Sequence, residues 1–151
     1  QGEVTPEQIQ SMVARLAERM KADPGNAEGW QMLARSYFAM GRFEEAADAY
    51  ASLVKIVDRD AQAWTDYADA VAMKQGRQLA GEPERLLKKA LEIDPDNVKA
   101  LALAGSAAMQ RGDAAGARLH WDRLLKLLPA DSPLIAPIRE SLQDLESAKK
   151  P

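Results

Sequence analysis

An all-α solenoid of tandem helical hairpins, flanked by a single helix at each end, is the fold that three features of this 151-residue chain predict. A tryptophan recurs after 34 residues, at Trp30 and Trp64. Small and large apolar residues follow it in a fixed order. Glycines and prolines stand where hairpins would turn and end. A fixed period of roughly 20–50 residues marks a repeat architecture.

In the first unit Trp30 is followed by Leu33, Ala34 and Tyr37, then by Gly41, Ala46 and Tyr50. The second unit opens with Trp64, Tyr67, Ala68 and Val71, carries "KQGRQLAGEPE", and resumes with Leu87, Ala90 and Pro95. That stretch is three residues longer than its counterparts, so the third unit starts at Leu101 rather than at Val98. It continues with Ala104, Gly105 and Ala108, then Gly112, Ala117 and Trp121, and closes at Pro129. Small residues at Ala34, Ala68 and Gly105 let two helices approach closely, and the aromatics fill the space between them. Gly41 and Gly112 fall at hairpin turns, which often need positive φ. Pro95 and Pro129 end second helices. The pattern resembles the tetratricopeptide repeat (TPR), and the resemblance spans about residues 27–131.

The ends complete the solenoid. "TPEQIQSMVARLAERMKADPGN" has Ile9, Val13, Leu16 and Met20 at helical spacing, with Thr5 as N-cap and Pro6 in the first turn. It reads as the second helix of a hairpin that lacks its first. "SPLIAPIRESLQDLESAKK" puts Ile138, Leu142 and Leu145 on one stripe, a cap for the last apolar face, with Pro137 expected to mark the start of its regular part. One TPR domain over residues 1–151 is expected. Its leading helix falls at about 6–22, its repeats at about 27–60, 61–97 and 98–131, and its capping helix at about 133–149. The terminal "SAKKP" reads as an exposed basic tail.

Composition narrows the function. Apolar residues make up 46% and charged residues 28%, which fits a folded globular chain. A net charge of −3 argues against nucleic acid or an anionic membrane as partner. No apolar run is long enough to cross a bilayer. Cysteine is absent, which removes disulfides and thiolate zinc sites. His120, the single histidine, stands beside Trp121 on a second helix, with no second His or Cys to complete a metal site. Its expected role is structural or superficial. Glu44, Glu45 and Asp48 read as a solvated helix start. Gly76, Gly81 and Pro83 form no phosphate loop, since no Gly-Lys-Ser/Thr follows. No nucleophile–base pair exists, so no catalytic residue, metal or cofactor is expected.

In a TPR stack the first helices line a concave groove. Repeat geometry assigns to it Gln31, Arg35 and Phe38 from the first unit, and Thr65, Asp69, Ala72 and Met73 from the second. The third supplies Lys99, Ala102, Ser106, Met109 and Gln110. Methionines and a phenylalanine among a few charges suit an amphipathic helix or an extended peptide. The alternative is an ordinary solvated face. The Lys and Asn set with which some TPR domains clamp a terminal carboxylate is missing.

A narrower likeness rests on "NAEGWQMLARSYFAMGRFEEAADAY", the "QGR-LAGEP" loop, the "DPDNVKALALAG" junction and "HWDRLLKLLP". Over about residues 16–129 the chain resembles the TPR domain of the CcmI/CycH/NrfG group of bacterial cytochrome c maturation proteins. That resemblance implies a non-enzymatic module in the periplasm, the C-terminal part of an inner-membrane protein whose anchor is not in this chain. The start at Gln1, without an initiator methionine, agrees with an excised domain. The implied partners are the C-terminal helix of apocytochrome c and the haem ligation machinery. Other open readings are a generic TPR scaffold for a periplasmic or secretion-related assembly, and an oligomerisation platform for an enzyme.

Overall fold

The computed structural model describes residues 2–148, with the side chain of Ala148 excepted. The tail residues 149–151 and the expected end of the capping helix lie outside the described residues. The described chain forms α1 (Pro6–Ala22), α2 (Ala27–Ala39), α3 (Phe43–Ile56), α4 (Ala61–Lys74), α5 (Glu82–Ile93), α6 (Val98–Gln110), α7 (Ala114–Leu127) and α8 (Ile135–Ala148). It is an all-α TPR solenoid. Each helix packs on the next in sequence, and α4 also touches α6.

Local chemistry sets the helix starts. Thr5 Oγ1 accepts from the Gln8 N–H while Gln8 Oε1 accepts from the Thr5 N–H, a reciprocal capping box. The first helix of every hairpin has an Asx cap: Asn26, Asp60 and Asn97 each accept a backbone N–H of the first turn. The indoles of Trp30 and Trp64 donate to the carbonyls of Pro24 and Asp58, 2.8 Å away in both cases. Each tryptophan thus ties its helix to the loop before it. Gly41 and Gly112 turn their hairpins at φ of 75° and 76°. The α4–α5 connection, residues 75–81, replaces the short turns at 40–42 and 111–113. It contains Gly76, Arg77 and Gly81, all at positive φ, and Pro83 follows at the start of α5.

α8 begins two residues before Pro137, not at it. A proline in a first turn costs no helical hydrogen bond, because that N–H has no intrahelical acceptor anyway.

The core is a row of three buried clusters, joined through the partly buried Trp64, Leu86 and Leu91. Val13, Leu16 and Met20 of α1 join Leu33, Ala34, Tyr50 and Leu53. Ala68, Leu87, Ala90 and Ala100 bridge the middle, and Leu101, Ala117, Trp121 and Leu124 meet Leu142 and Leu145 of α8. The stack is uneven, however. α3 lies closely along α4, whereas α5 lies more loosely on α6. A furrow opens there between α5 and α7, with cavities of about 710 Å³ and 470 Å³.

Candidate functional site: the wall formed by the first helices

α2, α4 and α6 are the first helices of the three hairpins, and the expected groove residues project from them. An ion-pair network fixes the centre. Lys99 Nζ lies 2.8 Å from Asp66 Oδ1 and 3.0 Å from Asp69 Oδ2, joining α6 to α4. Gln62 Nε2 donates to Asp66 Oδ1 at 2.9 Å, and Asn97 Nδ2 donates to Gln62 Oε1 at 3.0 Å. Burial works to lower the Lys99 ammonium, but the hydrogen bonds and charges of Asp66 and Asp69 outweigh it, and its pKa stands above the ordinary lysine value. Behind this network the Tyr50 hydroxyl is pushed up to about 12, first by burial and then by the Asp66 charge. Asp66 and Gln62 are absent from the expected groove set.

Arg35 is exposed and has no ion-pair partner among the described residues. Gln31, Asp69, Met73, Ala102 and Ser106 are half-buried, and Met109 is exposed. These residues and Lys99 form the open part of the wall. The Ser106 hydroxyl donates to the Ala102 carbonyl, so its proton is engaged within its own helix.

Four expected residues have a different place or duty. Thr65 is 0% exposed, its hydroxyl donating to Ala61 O, and Ala72 is 4% exposed. Both are core residues, because the middle hairpin is packed on both sides. Gln110 is exposed, but its amide is spent on the inserted loop: Oε1 accepts from the Leu79 N–H at 2.8 Å and Nε2 donates to Arg77 O at 2.9 Å. Phe38 is half-buried and edge-on to Phe43, with ring centroids 5.1 Å apart. Removing it costs stability as well as surface, since such aromatic pairs contribute about 0.5–1.5 kcal/mol beyond their burial.

His120 lines the outer furrow between α5 and α7, apart from this wall. Burial first, and the Arg111 charge second, hold its pKa below the usual histidine value. The folded state therefore binds that proton less readily than the unfolded chain does. Stability should be fully present above the unfolded value near 6.5 and should fall as pH drops through the lower folded value. Urea unfolding from pH 7 downward is expected to show this decline, and His120→Gln is expected to flatten it. An unchanged slope in the variant would assign the decline to other groups. Among the described residues no group of three or more His, Cys, Asp or Glu could hold a metal ion.

Helical hairpins repeated in register, with a wall built from first helices, define a TPR solenoid. The chain superposes on the crystal structure of MamA with a TM-score of 0.80 at 17% identity, over 95% of this chain and 80% of that one. It also superposes on the first TPR of Spaghetti (RPAP3) bound to an HSP90 peptide, with a TM-score of 0.69 at 20% identity, over 81% of this chain and 94% of that one. These likenesses establish the fold. The sequence model described as "Cytochrome c-type biogenesis protein H TPR domain" matches residues 1–135, and the chain belongs to that family. The cytochrome c-type biogenesis protein CycH of Pseudomonas aeruginosa is 30% identical over 138 residues, covering 91% of this chain and 34% of the relative. Escherichia coli CcmH is 29% identical, over 90% of this chain and 39% of its own length. The nitrite reductase complex subunit NrfFG of Haemophilus influenzae is 27% identical, over 77% of this chain and 30% of the relative. The chain thus spans between a third and two fifths of the length of the CycH and CcmH relatives. Among the described residues no helix is long and apolar enough to cross a membrane.

Proposed function

We propose that this domain is a non-enzymatic module of cytochrome c biogenesis that works in the periplasm, capturing the C-terminal helix of apocytochrome c and presenting it for haem ligation. The family and its relatives named for that process support the pathway. The observation that carries the capture step is the wall itself. It combines a rigid ion-pair cluster, in which one lysine is shared by two aspartates, with the unpaired Arg35 guanidinium and adaptable methionines. A client helix would lay its apolar face on Met73, Met109 and Ala102. A client carboxylate would pair with Arg35, because Lys99 is already held by two aspartates. The absence of cysteine suits a holder of a thiol-bearing client, since no mixed disulfide can form.

Titrating the chain with the C-terminal helix peptide of a c-type apocytochrome tests this. Micromolar or tighter binding is expected to the apo form and not to the folded holo-cytochrome. Arg35→Glu is expected to weaken binding about tenfold or more, about 1.4 kcal/mol. Its stability should stay within about 0.5 kcal/mol of the parent, because the side chain is exposed and unpaired. Binding that ignores Arg35→Glu would overturn the register assigned to the groove. No binding of any apocytochrome tail would overturn the capture role and leave the scaffold reading.

A further inference from the structure

The N-terminal end of the stack carries a second surface, unrelated to the wall of first helices. Repeat register exposes it. Met12 of α1 occupies the position taken by Ala46 in α3, Pro83 in α5 and Ala117 in α7. Those three are buried, whereas Met12 is 57% exposed. Met32, two residues after Trp30, matches Asp66 and Leu103 in the next two units. Asp66 is buried and Leu103 packs against the preceding unit, whereas Met32 is 59% exposed. Both methionines therefore stand where a preceding first helix would lie. Between them is a cleft of about 640 Å³ bordered by Ile9, Met12, Leu16 and Met32.

The charges beside the cleft have one sign that is unspent. Arg15 and Arg19 line it without an ion-pair partner among the described residues, while the neighbouring Glu18 is taken by Lys21 at 2.9 Å. An apolar strip flanked by two free guanidinia complements a helix with an apolar stripe and carboxylates beside it. We propose that this face docks an acidic amphipathic helix from a partner protein, which lies antiparallel to α1 in the way that the first helices lie along the second helices of the three hairpins. The small residues at Ala34, Ala68 and Gly105 face the second helices of the complete hairpins. The docked helix would likewise need a small residue opposite Leu16, which stands at the register of Tyr50, Leu87 and Trp121.

Two synthetic amphipathic helices of hairpin length, one with glutamates and one with lysines flanking the same leucine–alanine stripe, test the idea by fluorescence titration against the whole chain. The acidic helix is expected to bind at least tenfold more tightly than the basic one. The double variant Met12→Glu/Met32→Glu should abolish binding. Both side chains are exposed, so an unchanged circular dichroism melt should confirm that the variant folds. Arg15→Glu/Arg19→Glu should reverse the preference for charge, and Arg35→Glu on the other wall should leave it untouched. Equal binding of the two peptides would overturn the proposal, as would binding that follows Arg35 rather than Met12. So would a parent chain that dimerises through Met12 and Met32, because the face would then be covered by a second copy.

Discussion

Gly105→Ala is expected to destabilise the domain by about 1–3 kcal/mol, the usual penalty for forcing a methyl group into a filled core. At this chain length that lowers the melting temperature by about 2–4 °C per kcal/mol. Considered locally, the change should help, since alanine is a better helix former than glycine by about 1 kcal/mol. Packing reverses the sign. A Cβ built on Gly105 lies 2.0 Å from Trp121 Nε1 and 2.3 Å from its Cδ1. These are ring atoms with no flexible end to swing away, and the indole is also held by a hydrogen bond to Ala102 O at 3.3 Å. The equivalent residues in the other hairpins are Ala34 and Ala68, each fully buried, in the same core clusters as Tyr50 and Leu87, which stand at the register of Trp121. The small residue and its large partner are therefore matched hairpin by hairpin.

That matching yields a sharper test than the single variant. In a Trp121→Leu background, which reproduces the Ala68–Leu87 pairing, Gly105→Ala should cost little or become stabilising by up to about 1 kcal/mol. Trp121→Leu alone leaves a void beside the glycine and should itself be destabilising, within the range of about 2–5 kcal/mol seen for large core truncations. Additive effects in chemical denaturation of the four proteins would show that the two positions do not share one packing constraint.

The same comparison of hairpins explains what was legible in the sequence. The period between Trp30 and Trp64, the three-residue expansion and the closing prolines fixed the number and order of helices, because each states a covalent or steric limit. Trp121 in place of Tyr50 was visible too, but that it requires Gly105 opposite it emerged only from the packing. The groove was less legible. Thr65 and Ala72 stand on the wall by register, but the middle hairpin has neighbours on both sides, which closes over residues that stay open at the stack's end. Gln31, at the register of Thr65, is only half-buried for that reason. Asp66 escaped notice because its register holds Met32 and Leu103 elsewhere, so a carboxylate there reads as an accident. Its function appears only when α6 brings Lys99 alongside. Gln110 likewise looked like a free amide until the inserted loop closed on it. The unpartnered face at Met12 could have been found by asking which hairpin position, small or proline elsewhere, was filled by a long side chain.

The network behind the groove predicts a specific alkaline weakness. Tyr50 titrates near 10.0 when unfolded and is held up to about 12 in the fold. Between those values the unfolded chain has given up a proton that the folded chain keeps, so stability falls as pH rises. Two units correspond to about 2–3 kcal/mol at about 1.4 kcal/mol per unit. That figure is an upper bound, because the Tyr50 hydroxyl has no hydrogen-bond partner among the described residues and is not sealed from water, although the ring is buried. Lys99 acts in the same direction. Its raised pKa contributes stability that is whole below the unfolded value of 10.5 and is lost as pH climbs through the folded value. Urea unfolding between pH 9 and pH 12 should therefore show a steep decline, most of it missing in Tyr50→Phe and the remainder reduced in Lys99→Met. No hydrogen bond from the Tyr50 hydroxyl is present among the described residues, so Tyr50→Phe should leave neutral-pH stability nearly unchanged. Phenolate absorbance supplies an independent readout: of the three tyrosines, Tyr50 should ionise at the highest pH, while Tyr67 is also raised above the ordinary value by burial and by Glu82. A Tyr50→Phe protein that loses stability at the parental rate would show that burial does not hold the Tyr50 proton and that other groups carry the alkaline decline.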